Sequence, residues 1–261
     1  MLRPRIVPCL LLHQGGLVKT RGFRDSKYVG DPINAVRIFN EKEADELMVL
    51  DIGATENREA PNFNLIAKLA AECRMPLCYG GGVTTAEQAV RIVDMGVEKV
   101  AVSAAAIARL GLVTEMATAL GRQSVVAVLD LQKRIGLSAR SYELSSHNGK
   151  LTHKVDPFLF AKNLQDAGAG EIVINSIDRD GFMQGYDLDL AAEFKRLLNV
   201  PLTFMGGAGS LKHIGELFSS VGVVGGAAGS LFVFKGKYRA VLINYPTPEQ
   251  KMIICREALK F

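Results

Sequence analysis

The chain repeats itself at a long period, and that repeat restricts its fold more than any other feature. Ala44-Asp45-Glu46-Leu47 ahead of Leu50-Asp51-Ile52 lines up with Ala169-Gly170-Glu171-Ile172 ahead of Asn175-Ser176-Ile177. Pro76-Leu77 ahead of Gly81-Gly82 lines up with Pro201-Leu202 ahead of Gly206-Gly207, at the same offset of 125 residues. Ile6-Val7-Pro8-Cys9-Leu10-Leu11 matches Val125-Val126-Ala127-Val128-Leu129-Asp130 at an offset of 119, so about six residues are inserted after the second copy of this segment, in the polar stretch 132–153. Matching segments at a fixed period imply matching structural units.

Within each half, short β-rich apolar runs alternate with amphipathic stretches. The runs 5–11, 46–51, 76–79, 98–103, 124–130, 171–176, 201–205 and 222–228 predict eight strands. Between them, 32–43 opens on Asp31 as a cap and Pro32 at the first helical position, and 84–95 opens on Thr84 and Glu87 in capping-box spacing. Strands alternating with helices imply parallel βα units. Eight such units in 261 residues, 48% of them hydrophobic, predict an α/β chain folded as a single (β/α)8 TIM barrel over 1–261, with half-barrel repeats of about 1–122 and 123–261. A dinucleotide-binding fold offers neither eight strands nor two equivalent glycine clusters.

Charge and cysteine usage exclude several classes. A balance of 31 basic against 27 acidic residues is spread along the chain, apart from a short basic run at Lys235, Lys237 and Arg239, so no nucleic-acid partner is expected. Cys9, Cys73, Cys78 and Cys255 lack the paired spacing of a zinc site, and they read as packing residues in a reducing compartment. No metal or cofactor is expected. No apolar run approaches a membrane span and no early segment resembles an export signal, so a cytoplasmic location is expected.

In a barrel of this kind the active site lies at the carboxyl ends of the strands, where glycine lets backbone N–H groups approach an anion. Gly80-Gly81-Gly82 follows strand 3 and Gly206-Gly207-Ala208-Gly209 follows strand 7; Ser103 and Ala104 follow strand 4, and Gly229 and Ser230 follow strand 8. Two such pairs predict a ligand with a phosphate at each end. Lys19 and Arg21 lie in the long connection 12–31, which reads as a mobile lid. At the other ends of strands 1, 2, 4 and 6 stand Arg5, Glu46, Lys99 and Glu171, which predict a neutral ring at the barrel floor.

Arg5-Ile6-Val7-Pro8-Cys9-Leu10, Gly30-Asp31-Pro32, Gly168-Ala169-Gly170-Glu171-Ile172, Ser176-Ile177-Asp178-Arg179-Asp180-Gly181 and Gly185-Tyr186-Asp187, with both glycine clusters, carry a resemblance across nearly the whole chain. They resemble the cyclase subunit of imidazole glycerol phosphate synthase. That resemblance implies ammonia supplied by a separate glutaminase subunit, and its use to cleave and cyclise a bis-phosphorylated ribulosyl-formimino aminoimidazole carboxamide ribonucleotide. It implies that the four ring residues gate ammonia, and that Glu98 and Gln123 lie near the docking face for the glutaminase. Lys19, Asp51, Gly81, Gly82, Ser103, Asp180, Gly181, Gly206, Gly207, Gly229 and Ser230 then belong to the substrate and phosphate site.

The family's catalytic acid and base are aspartates ending strands 1 and 5. Asp130 is the second; the first is replaced by Leu11, which the internal repeat independently pairs with Asp130. Leucine moves no proton, and losing a general acid or base costs about two to four orders of magnitude in rate. Ser103 and Ala104 stand where the family has Asn and Thr, Met205 replaces a small hydroxyl residue, and Phe182 replaces a Thr. Three further readings follow: a subunit delivering ammonia to an amidotransferase that modifies a surface-polysaccharide sugar, a non-catalytic scaffold that activates the glutaminase, and an isomerase like the related barrel one step earlier in histidine synthesis. Leu11 counts against the last as much as against the cyclase.

Overall fold

A computed structural model describes residues 3–134 and 141–259. Eight parallel strands close into a barrel: β1 (Arg5–His13), β2 (Leu47–Asp51), β3 (Leu77–Gly80), β4 (Lys99–Val102), β5 (Val125–Lys133), β6 (Glu171–Ser176), β7 (Leu202–Met205) and β8 (Gly225–Ala228). Each pairs with the next, and β8 pairs with β1 to complete the ring. Eight outer helices follow: α1 (Pro32–Glu41), α2 (Phe63–Glu72), α3 (Ala86–Asp94), α4 (Gly111–Leu120), α5 (Pro157–Ala167), α6 (Leu188–Leu197), α7 (Leu211–Val221) and α8 (Pro248–Leu259).

Alternation along the strands separates two apolar layers. Val7 and Cys9, Met48, Cys78, Ala101, Val126 and Val128, Val173, Met205 and Ala227 point into the barrel. Their neighbours Ile6, Leu10, Val49, Val125, Leu129, Ile172 and Ile174 face the helices, joined by Phe39, Ile92, Phe194 and Phe218. Burying each such side chain is worth roughly 1.5–3 kcal/mol, so both faces of every strand stabilise the ring.

Helix starts follow local chemistry. Asp31 Oδ1 accepts from Asn34 N at 2.9 Å and Pro32 opens α1, as the sequence predicts. The capping box of α3 differs by one residue from that reading. It joins Thr85 and Gln88, not Thr84 and Glu87, with Gln88 N donating to Thr85 Oγ1 at 3.3 Å and Thr85 N donating to Gln88 Oε1 at 3.3 Å. Ala89 and Ile92 must face the strands, and this register places them there.

Two connections at the carboxyl end depart from the simple barrel. The segment 12–31, read above as a mobile lid, is an antiparallel hairpin of Gly16–Arg21 and Arg24–Gly30 that continues the sheet from β1, with Leu11 opposite Val18. The insertion expected within 132–153 forms a second hairpin. Tyr142–Ser146 pairs with β5, placing Ser145 opposite Asp130, and Leu151–His153 pairs beyond it; residues 135–140 of the insertion lie outside the described residues.

At the opposite end, Tyr245 ties the chain's last segment to its first strand: its hydroxyl donates to Ile6 O at 2.7 Å and accepts from Asp45 N at 3.1 Å. Lys251 pairs with Asp45 at 2.8 Å. Among the described residues, no helix is long and apolar enough to cross a membrane.

Candidate active site at the carboxyl ends of the strands

The strands and their loops enclose a cavity of about 570 Å³, within the usual range for a small-molecule site. Lys19, Asp51, Gly81, Gly82, Ser103, Asp130, Asp180, Gly181, Gly206, Gly207, Gly229 and Ser230 all line it, so every residue read from sequence as part of the substrate site converges there. Leu11, Leu50, Val128 and Met205 supply much of its apolar wall.

Gly81 and Gly206 occupy equivalent positions in the two turns, with φ of +125° and +95°. A Cβ on Gly81 would lie 2.5 Å from Asp51 O, and one on Gly206 would lie 2.5 Å from Ser176 O, so both turns require glycine. Ser103 precedes the short helix Ala104–Ala108, and its Oγ is buried without a hydrogen-bond partner. Ser230 is buried at the start of Ser230–Val233. Gly229 is explained by Lys19: a Cβ there would fall 2.1 Å from Lys19 Nζ.

Lys19 is itself 6% exposed, and its Nζ donates to Cys9 O. Burial lowers the lysine pKa, partly offset by the charge of Asp180. Asp180 accepts from Thr20 Oγ1 at 3.1 Å, and burial raises its pKa. Asp51 accepts from Gly53 N at 3.0 Å and Ala54 N at 3.2 Å; burial raises its pKa against those two bonds.

Asp130 stands at the end of β5, and Asn175 on the neighbouring strand donates Nδ2 to its Oδ1 at 2.8 Å. Burial pushes Asp130 up to about 6; the Asn175 bond opposes this and the nearby Asp180 reinforces it. A carboxyl near 6 exchanges protons readily around neutrality, which suits acid–base work. Leu11 lines the same cavity from β1 but has no titratable group.

The amino-terminal face is built differently. Arg5 pairs with Glu46 and, at 2.8 Å, with Glu171; Lys99 reaches Glu46 at 2.7 Å and Glu171 at 2.8 Å. Thr203 Oγ1 adds a bond to Glu171 at 2.6 Å. Burial opposes charge on Glu171, but Arg5 and Lys99 outweigh it and hold its carboxyl down at about 2. The four residues form the closed neutral ring expected from sequence. Above it the inward-facing Val7, Cys9, Met48, Cys78, Ala101, Val126, Val173 and Ala227 make an apolar column up to the cavity. Glu98 and Gln123 are exposed on this face, just before β4 and β5.

Sequence reasoning missed Cys9, Arg58, Asn175 and the hairpin residues His147 and Asn148, all of which line the cavity. Asn175 occupies the inward register position opposite Asp130, a placement set by strand pairing that no local sequence pattern records.

A family model described as histidine biosynthesis protein matches residues 5–239. The chain is 54% identical over 251 residues to a Vibrio vulnificus protein provisionally named imidazole glycerol phosphate synthase subunit hisF3, covering 96% of each chain. It is 50% identical over 246 residues to the provisionally named subunit hisF2 of Pseudomonas aeruginosa, covering 94% of this chain and 97% of that one. A Clostridium botulinum protein named imidazole glycerol phosphate synthase subunit HisF, without that reservation, is 35% identical over 235 residues, covering 90% and 92%.

Proposed function

The chain belongs to the histidine biosynthesis protein family, among the imidazole glycerol phosphate synthase subunits, and from that premise we propose that it receives ammonia from a partner glutaminase at the ring and uses it in the cavity. The observation that carries this reading is the opposition of the two faces. A neutral ring of Arg5, Glu46, Lys99 and Glu171 stands at one end, an anion-ready cavity with paired glycine turns stands at the other, and an apolar column lies between them. Neutral ammonia suits such a column better than ammonium, because a charge in an apolar interior is costly unless paired.

In this reading the paired glycine turns, Ser103 and Ser230 hold the two phosphates of a bis-phosphorylated substrate, Lys19 neutralises part of that charge, and Asp130 moves protons. Leu11 leaves Asp130 without its carboxylate counterpart, so the cyclisation runs slowly. The same substitution, with Met205 in the wall, favours a second reading in which ammonia passes on to another acceptor, such as the substrate of an amidotransferase acting on surface-polysaccharide sugars. A purely scaffolding barrel that activates the glutaminase is the third.

One experiment tests all three: co-purification with the cognate glutaminase, followed by assays of glutamine hydrolysis and of the family's cyclase substrate. Binding and stimulated hydrolysis with slow cyclisation is the expected result. Stimulated hydrolysis without any cyclisation favours the other acceptor or the scaffold, and absence of binding overturns the proposal.

A further inference from the structure

His147 lines the cavity, yet neither the phosphate-binding turns nor Asp130 accounts for it. Its Nδ1 lies 2.8 Å from Ser146 Oγ, and the same hydroxyl lies 2.8 Å from His153 Nε2. Ser146 is buried, whereas His153 is half-buried on the outer strand of the hairpin, between exposed Thr152 and Lys154. An imidazole–hydroxyl–imidazole chain therefore runs from the cavity wall to the outer strand, leaving His147 Nε2 and His153 Nδ1 as its two ends.

A tight turn carries the inner end of this chain. His147, Asn148 and Gly149 have φ of +54°, +56° and +75°, the left-handed conformations of a hairpin turn, which His, Asn and Gly enter more readily than other residues. Two contacts tie the turn across the mouth: Asn148 Nδ2 donates to Ile52 O at 2.9 Å, and Lys150 pairs with Glu56 at 2.8 Å, both anchors lying beyond β2, across the mouth from β5. The turn is thereby held against the cavity, with His147 in its lining.

We infer that His147, Ser146 and His153 form a proton relay between the cavity and the outer strand, serving as the second acid–base group where β1 offers only Leu11. The inference rests on the reading that proton-transfer chemistry takes place in this cavity. In the resting arrangement His153 Nε2–H donates to Ser146 Oγ, Ser146 donates to His147 Nδ1, and His147 carries its own proton on Nε2. A proton added at His153 Nδ1 releases the Nε2 proton to Ser146; Ser146 passes its original proton to His147 Nδ1; His147 then gives up its Nε2 proton to the cavity. One proton has entered at the outside and one has left inside, and each ring ends as the opposite neutral tautomer with Ser146 still a hydroxyl. The reverse stroke takes a proton from the cavity and restores the start, so one relay serves alternately as acid and base. The charged groups that share the cavity lining with His147 are Lys19, Asp51, Arg58, Glu59, Asp130 and Asp180; the Glu56–Lys150 pair lies beside the turn and Lys154 next to His153.

The test uses the full chain labelled with 15N-histidine, with Ser146→Ala and Ser146→Thr variants. Nuclear magnetic resonance across the histidine titration range is expected to show His147 and His153 titrating as a linked pair. Ser146→Ala should split the pair into independent titrations, and Ser146→Thr, which keeps the hydroxyl, should preserve the link. Ammonium-dependent turnover of the family substrate should fall at least tenfold in kcat for Ser146→Ala with KM little changed, and recover in Ser146→Thr. Independent titration in the parent chain, or a linked pair whose loss leaves kcat unchanged, overturns the relay. Linked titration in a chain with no turnover upholds the proton path and sinks the cyclase reading instead.

Discussion

Asp130 carries a stability cost set by its burial. Its pKa in the folded chain is about 6, above the ordinary carboxylate value near 3.8 that it regains on unfolding, so its ionised form is disfavoured by folding. The penalty is absent below about pH 3.8, grows as pH rises, and is complete above about 6. Asp130→Asn is therefore expected to raise stability at pH 8 by on the order of 3 kcal/mol, with little gain at pH 4, while abolishing turnover. Urea unfolding at the two pH values measures the first part, and an equal gain at both would contradict it. Leu11→Asp should do the opposite: it places a second carboxyl in a mostly apolar wall, lowering the melting temperature while raising cyclase activity by one order of magnitude or more. A variant that folds, binds phosphate and gains no activity would count against the proposal that Leu11 limits cyclisation. Leu11 was legible as an anomaly from sequence alone, because the internal repeat pairs it with Asp130. Asn175 was hidden, since its role comes from a lateral strand register that no local pattern records.

The elements were read with uneven success, for identifiable reasons. All eight barrel strands were visible because each is buried on both faces and reads as a short apolar run. The hairpin over 16–30 was missed as structure because its second strand, Arg24–Gly30, exposes most of its residues and carries Arg24, Asp25 and Lys27, a composition that resembles a loop. What holds it is pairing to β1, Gly22 N donating to Asp180 O at 2.9 Å, and Arg21 stacked 4.5 Å over the Phe182 ring. The capping box was misplaced by one residue because two threonines stand side by side, and only the inward face of α3 decides between them. The strand-1 hairpin is also fixed at its centre, where the Lys19 head occupies the space a side chain at position 229 would need. Gly229→Ala should expel that ammonium group from its place against Cys9 O. Phosphate affinity should fall and the hairpin amides should exchange faster with solvent; unchanged exchange and unchanged phosphate binding would refute that account.

For the molecule as a whole, the two ends of the barrel respond to opposite ranges of pH. Glu171, held at about 2 against an ordinary value near 4.5, contributes stability that is fully present above pH 4.5 and is lost as pH falls toward 2. Glu171→Gln should flatten the decline of the melting temperature across that window, and an unchanged decline would mean that the ring takes no part in acid unfolding. Lys99→Met leaves two carboxylates facing one guanidinium, so glutamine-dependent turnover should drop further than ammonium-dependent turnover, with glutaminase binding largely kept. Equal losses with the two nitrogen sources would place the defect in the fold and not in ammonia passage.

The hairpin from β5 that reaches across the mouth, anchored through Asn148 to Ile52 O and through Lys150 to Glu56, also bears on how the barrel assembles from parts. A chain cut after Gly121 would yield two four-stranded pieces, each with two open sheet edges. Mixed copies of the first piece alone have no strap to offer, whereas the second piece carries a strap whose docking sites lie only on the first. Co-expressed fragments should therefore prefer the unlike pair over either like pair, and this hairpin would act as the address label that sorts them.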